Sequence, residues 1–95
     1  MINETANGFA VLSAMCFNEA AKLLKIGCAY IEKSVSQQAI CIDLARVPRL
    51  DSSALACIFA WMRVAKEHQK IVQIQNPPAP LLALASLYDV RELLD

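Results

Sequence analysis

An acidic side chain and two hydroxyls follow one another at Asp51, Ser52 and Ser53, between two strongly apolar stretches of the sequence. Residues of these types often cap the first turn of a helix, because a side-chain oxygen can accept a hydrogen bond from an unpaired backbone N–H. Capping explains one polar side chain, and three are present. We therefore expect the trio to begin a helix and also to lie where a ligand or another protein can reach it.

Other side chains that could do chemistry form no recognisable catalytic pattern. His68 is the only histidine, and Gly8 and Gly27 are the only glycines, so neither a histidine-based site nor a glycine-rich phosphate loop is indicated. No nucleophile has a base beside it, and paired acids are not evident. We expect a protein that is not an enzyme and has no cofactor or metal site.

The cysteines are too dispersed to suggest a metal site or a disulfide framework. Cys16, Cys28, Cys41 and Cys57 form no C-x-x-C pair, and three of the four lie inside apolar segments. We interpret them as reduced thiols in the core or at an interface.

Charge and hydropathy exclude several classes of function. Nine basic and nine acidic residues cancel, and no basic stripe is interleaved with aromatics, so nucleic-acid binding is not expected. The chain is 57% hydrophobic with a mean hydropathy of +0.40, yet charges interrupt every apolar run before it reaches the roughly 20 residues that span a bilayer. The N-terminus does not resemble a secretory signal. We expect a cytoplasmic protein without direct membrane insertion.

Apolar periodicity predicts alternating strands and helices. The first predicted elements are a strand over 9–15, with a hairpin partner through Cys16 and Phe17, and a helix from an N-cap at Asn18. A polar segment over 34–38 then separates this helix from a strand over 39–47, which is followed by a helix over 52–69 and a strand over 70–76. A last helix begins at Pro80, with 90–95 as its continuation or an extra turn. The strand over 39–47 is apolar on both faces, which predicts a central strand covered on both sides. The alternating strand over 70–76 should be half-buried or at an edge.

This order favours parallel pairing and an α/β fold, because strands that alternate with helices usually join through right-handed crossovers. We expect one domain over 1–95, with a mostly parallel or mixed sheet of about four strands and about three to four helices.

The helix that follows Asp51 is apolar on two sides. One side, expected to face the core, carries Leu55, Ile58, Phe59, Met62 and Ala65, and the other carries Cys57, Trp61 and Val64, with Ala56 and Ala60 beside them. Trp61 could pack beneath a neighbouring loop. The interpretation that we favour is a docking face for another protein, with Trp61 as its anchor, Asp51 and Ser52 as hydrogen-bonding groups and Arg49 as a contact to an acidic residue.

These stretches resemble the STAS domain, the fold of anti-sigma-factor antagonists and of the C-terminal domains of sulphate transporters. The resemblance runs through the strand ending at Asp43 and Leu44, the Asp51-Ser52-Ser53-x-Leu55 signature and the closing "LASLY" helix. Weaker similarity in "SAMCFNEAAKLL" extends it over nearly the whole chain. It implies a STAS fold of mixed sheet and helices.

Two branches of the family then compete. "CIDLARVPRLD" and "LASLYDV" look closest to the small cytoplasmic STAS subunit of the ABC transporter that moves phospholipids between Gram-negative envelope membranes and maintains lipid asymmetry. That resemblance implies an ATPase subunit as partner and a peripheral position at the inner membrane. Anti-sigma-factor antagonists instead carry a phosphorylatable hydroxyl at the position of Ser52, followed by Ser, Gly and Leu; here Ala54 replaces the Gly, and the partner would be a serine kinase.

An apolar docking face favours the first branch, because stable subunit interfaces are the more apolar kind. Phosphate on Ser52 would nevertheless suit a helix N-terminus. The candidate regulatory residue is Ser52, and the candidate partner-binding residues are Arg49, Asp51, Ser52, Ser53, Ala56, Cys57, Ala60, Trp61 and Val64.

Overall fold

A computed structural model describes residues 1–35 and 38–94 as a mixed four-stranded sheet packed against helices. The elements in chain order are β1 (Ile2–Thr5), β2 (Gly8–Val11), α1 (Phe17–Lys33), β3 (Ile40–Asp43), α2 (Ser53–Glu67), β4 (Val72–Gln75), α3 (Ala79–Leu87) and a 3₁₀ turn (Arg91–Leu94). This architecture confirms the predicted α/β fold. The predicted polar segment over 34–38 and the last turn include Ser36, Gln37 and Asp95, which lie outside the described residues.

The sheet has the strand order β1-β2-β3-β4, with β1 antiparallel to β2 and the other pairs parallel. The predicted hairpin exists, but its partner strand precedes the turn at Asn7. Cys16 and Phe17 are not part of it, because they begin α1. Gly8 is required here, since a Cβ at this position would lie 1.8 Å from the Cys41 carbonyl oxygen.

Helices cover one face of the sheet. Alternate residues of β2 and β3 share one core cluster with Leu23 of α1, Ile58 of α2 and Leu81 of α3. Cys41 and Ala10 are buried but lie outside that cluster, and the Cys41 Sγ lies 3.8 Å from Gln73 Oε1. The strand β3 is therefore central and buried on both faces, as predicted, but the helices pack against only one of those faces. A monotonic strand order explains this, because right-handed crossovers then place successive helices on the same face.

Strands are shorter than predicted, and α1 begins before the predicted N-cap at Asn18. Cys16 is the N-cap, and its backbone N–H donates to Glu19 Oε1 at 3.2 Å. At the C-terminal end of α1, the Lys70 ammonium donates to the carbonyls of Ile31 and Ser34. A cation there stabilises the negative end of the helix dipole.

The second apolar side of α2 packs against α1 and the sheet. Trp61 is 0% exposed, and its ring meets the Phe9 ring edge-on with centroids 5.3 Å apart. The indole N–H donates to the Leu24 carbonyl at 3.3 Å. Gly27 provides the space, because a Cβ there would lie 2.2 Å from Trp61 Nε1. The prediction that Trp61 faces outward is therefore wrong: its outer neighbour is another helix of the same chain.

We expect Gly27→Ala to destabilise the protein. A methyl group would collide with a buried indole that has no free space to enter, at a cost of about 1–3 kcal/mol that outweighs the gain of about 0.5–1 kcal/mol from replacing a helical glycine. Urea unfolding monitored by circular dichroism measures the change.

The matched test is a double-mutant cycle with Trp61→Phe, which removes the part of the ring nearest Gly27. We expect the double variant to be more stable than the sum of the single changes predicts. Strict additivity would contradict a direct clash between the two positions.

Candidate functional site

The segments before α1 and α2 are joined by backbone hydrogen bonds. The Met15 N–H donates to the Arg49 carbonyl at 2.9 Å, and the Asp51 N–H donates back to the Met15 carbonyl at 3.3 Å. These bonds accompany an isolated parallel bridge between Met15 and Leu50. The two helices consequently begin side by side.

Asp51 caps both of these helices. Its Oδ1 accepts from the Ser53 N–H at 2.8 Å in the first turn of α2, and its Oδ2 accepts from the Phe17 N–H at 3.0 Å at the start of α1. These bonds, the Ser53 N–H first and the Phe17 N–H second, hold the pKa of the Asp51 carboxyl below its ordinary value. Both oxygens are thus engaged within the chain, so Asp51 organises the site.

Ser52 is the exposed member of the trio. It stands at the N-cap position of α2 with φ −62° and ψ −20°, and its side chain makes no capping hydrogen bond. The Ser53 hydroxyl, by contrast, helps to lower the pKa of the Asp51 carboxyl. A partner or a kinase could reach the Ser52 hydroxyl without first breaking a helix cap.

An apolar groove runs between the N-terminal halves of α1 and α2. Its aromatic member is Phe17, which is 79% exposed. The lining residues are Phe17, Asn18, Ala20, Ala21 and Leu24 from α1 and Ser53, Ala56 and Cys57 from α2. Small side chains at its floor and an aromatic ring at its end are features of surfaces that receive another protein.

Only part of the predicted partner-binding set is accessible. Arg49, Ser52 and Ala56 are exposed, and Asp51, Ser53 and Val64 are partly exposed. Cys57, Ala60 and Trp61 are buried, because this side of α2 faces α1. Cys57 and Ala60 therefore cannot form an outward stripe with Trp61, and the apolar surface near the serines is centred on Phe17 instead.

Phe17 is absent from the residues predicted for the site, because the sequence pattern placed it in a hairpin. A signal was nevertheless present, since Phe17, Ala20, Ala21 and Leu24 follow the i, i+3, i+4, i+7 spacing of one helix face. Beginning α1 at Phe17 would have placed the ring at the end of that face. Residue spacing alone could not show that α2 leaves the Phe17 end of this face uncovered.

The two cysteine thiols at and near the groove are held in their protonated form. Burial first, and the nearby Cys28 second, raise the pKa of the Cys57 thiol to about 12, and burial also raises the pKa of Cys28. A protonated thiol is a poor nucleophile. Within residues 1–35 and 38–94, no three His, Cys, Asp or Glu side chains are grouped closely enough to hold a metal ion.

Among the same residues, none of the helices combines the length and apolar character that a bilayer crossing requires.

We expect Asp51→Asn to lower stability at neutral pH, since an amide cannot match a carboxylate as acceptor for two helix N-termini. Because the folded-state pKa of Asp51 is depressed, its contribution is present above the unfolded carboxyl value of about 4 and is lost as pH falls through the lower folded value. Urea midpoints of the variant and the parent should therefore converge in acid. Glu92→Gln, at an exposed acid outside the site, serves as the control; an equal gap at both pH values would contradict the capping role.

Solved structures with the same fold belong to regulators and to a transporter. A Thermotoga maritima protein described as an anti-sigma factor antagonist aligns with a TM-score of 0.76 and 13% identity over 100% of this chain and 82% of its own. The anti-sigma factor antagonist SpoIIAA in its unphosphorylated form gives 0.67 and 11% over 92% of this chain and 81% of its own. The murine anion transporter Slc26a9 gives 0.64 and 10% over 95% of this chain but 14% of its own.

At such identities these alignments show the fold alone. No curated protein gives a significant match to the sequence. The sequence model of the family described as "Mlab, STAS domain", in contrast, matches residues 18–95. Because that match spans well over half of the chain, this protein belongs to the STAS domain family.

Proposed function

We propose that this protein is a non-catalytic STAS subunit that binds the ATPase subunit of a phospholipid-transporting ABC complex maintaining outer-membrane lipid asymmetry. The description of the matching family model supports this branch, and the quoted "CIDLARVPRLD" and "LASLYDV" stretches agree with it. The protein would then be cytoplasmic and held at the inner membrane through its partner.

The observation that carries the proposal is the Phe17 groove beside Ser52. A long-lived subunit contact needs an apolar patch that excludes water, whereas a transient switch needs only a local polar site. The Phe17 ring is 79% exposed, so its apolar surface is removed from water only when a partner covers it. The proposed docking residues are therefore Phe17 as anchor, Ala56 as part of the floor, and Ser52 and Arg49 as the polar rim.

The rigidity of the groove favours a preformed docking site. Asp51 fixes the start of both walls, and the buried Trp61 holds the walls together about two turns further on. Little ordering is then required on binding, which leaves more of the interaction energy for affinity.

A second function is favoured by the state of Ser52. Its exposed hydroxyl lies at a helix N-terminus, where backbone N–H groups and the helix dipole stabilise a phosphate. The solved structures of anti-sigma factor antagonists have the same fold. As the alternative, the protein would be an anti-sigma-factor antagonist that a partner serine kinase switches by phosphorylating Ser52.

Phe17→Ala should weaken ATPase binding without unfolding the protein. If the ring is an interface anchor, its truncation costs about 2 kcal/mol or more, roughly a thirty-fold rise in the dissociation constant. Titration of the purified ATPase subunit, followed by calorimetry, measures this. Val35→Ala is the matched control, because Val35 is 94% exposed and lies beyond the other end of α1.

Unchanged affinity of Phe17→Ala would reject the groove as the docking site. Failure of the parent protein to bind the ATPase at all would reject the subunit function itself.

The switch is tested by the intact mass of protein isolated from its native cells in several growth conditions. A phosphorylated fraction that disappears in Ser52→Ala and persists in Ser53→Ala would support it. Absence of phosphate in every condition would remove this alternative.

A further inference from the structure

We infer that β1 is an open sheet edge through which two copies of this chain join, antiparallel and strand to strand, into one continuous eight-stranded sheet. The inference is independent of the proposed ATPase contact. It rests on the direction of the backbone groups of β1 and on the groove beside them.

Alternate residues of β1 direct their backbone groups away from β2. The Leu12 N–H donates to the Met1 carbonyl at 2.7 Å, so these residues form a hydrogen-bonded pair. Hydrogen-bonded pairs alternate along an antiparallel ladder, and with Asn3 opposite Ala10 and Thr5 opposite Gly8, those pairs continue the pattern. The N–H and C=O groups of Ile2 and Glu4 must then point outward, free to bind another strand.

The two edges of the sheet differ in their cover. Leu93 and Leu94 of the 3₁₀ turn share a groove with all of β4, so the β4 edge has a neighbour from its own chain. The grooves beside β1 are lined by residues of β1 and α1, among them Ile2, Glu4, Ile26, Tyr30 and Lys33, together with Met1 before β1 and Ser34 and Val35 after α1. Within the described residues, β1 is therefore the edge that a second strand can approach.

The outward groups of β1 are self-complementary. Ile2 and Glu4 are placed symmetrically about Asn3. A two-fold axis at Asn3 would therefore bring the Ile2 of each copy opposite the Glu4 of the other. Each of these two pairs exchanges two backbone hydrogen bonds. The register also keeps the Glu4 carboxylates from lying directly opposite each other, which like charges disfavour.

Apolar surface at the joint supports a second copy as the occupant. Met1 is 40% exposed and Ile26 is 41% exposed, and both line the groove next to β1. Glu4 and Lys33 add one charge of each sign to the same groove, and the chain has no net charge to repel its copy. A four-residue joint lies at the small end of interfaces, below about 1,200 Å², so we expect a dimer that dissociates on dilution.

The decisive variant is Glu4→Pro, with Glu4→Val as its matched control. Both remove the carboxylate, but only proline removes the outward N–H, and neither removes a hydrogen bond to β2. Light scattering across a wide concentration range should show the parent and Glu4→Val passing from monomer to dimer while Glu4→Pro stays monomeric. Circular dichroism confirms that each variant is folded.

Amide hydrogen exchange adds a residue-level readout. Protection of the Ile2 and Glu4 amides should rise with protein concentration. Protection of the Asn3 amide, which faces β2, should not change. A parent that remains monomeric throughout, or a dimer that survives Glu4→Pro, would overturn the inference. Since the β1 groove and the Phe17 groove share no residue, ATPase binding by Glu4→Pro distinguishes this failure from a failure of the proposed function.

Discussion

The contact of the Trp61 indole with the backbone of α1 is the constraint on which the arrangement of the helices depends. The ring occupies the space left by the missing side chain of Gly27, donates to the Leu24 carbonyl and meets the Phe9 ring edge-on. Asp51 ties the two helix starts together, and Lys70 binds the carbonyls at the end of α1. The pair α1 and α2 is thus fixed at its beginning, middle and end, and the groove inherits that geometry.

This packing also explains the apolar composition of so small a domain. The middle helix, α2, contacts α1, α3 and β4, so its apolar residues have neighbours within the chain on more than one side. A helix that is apolar on most sides is expected to be buried. The apolar residues of α2 are therefore mostly internal, and the large apolar side chain that stays exposed near Ser52 is Phe17 of α1.

Sequence patterns predicted the strands and helices whose apolar residues have a clear period. They did not predict what covers an apolar helix side, because a partner protein and a second helix of the same chain produce the same pattern. The alternation of strands with helices, the central position of β3 and the edge position of β4 are confirmed. Trp61 was misplaced because an apolar side of a helix looks the same whether a partner or a second helix covers it. The discriminating residue was Gly27: a helix-interior glycine costs about 0.5–1 kcal/mol, which indicates that another group approaches the backbone there.

The position of Asp51 links the two functions considered for this surface. Its carboxylate holds the N–H of Phe17, the residue with the exposed ring, and the N–H of Ser53, the residue after the exposed hydroxyl. A phosphate on Ser52 would bring about −1.5 to −2 charges next to that carboxylate and would compete for the same helix N-termini. Like charges there would weaken the bond that sets the start of α1. Chemistry at Ser52 and the shape of the Phe17 groove are therefore not independent, because one side chain supports both.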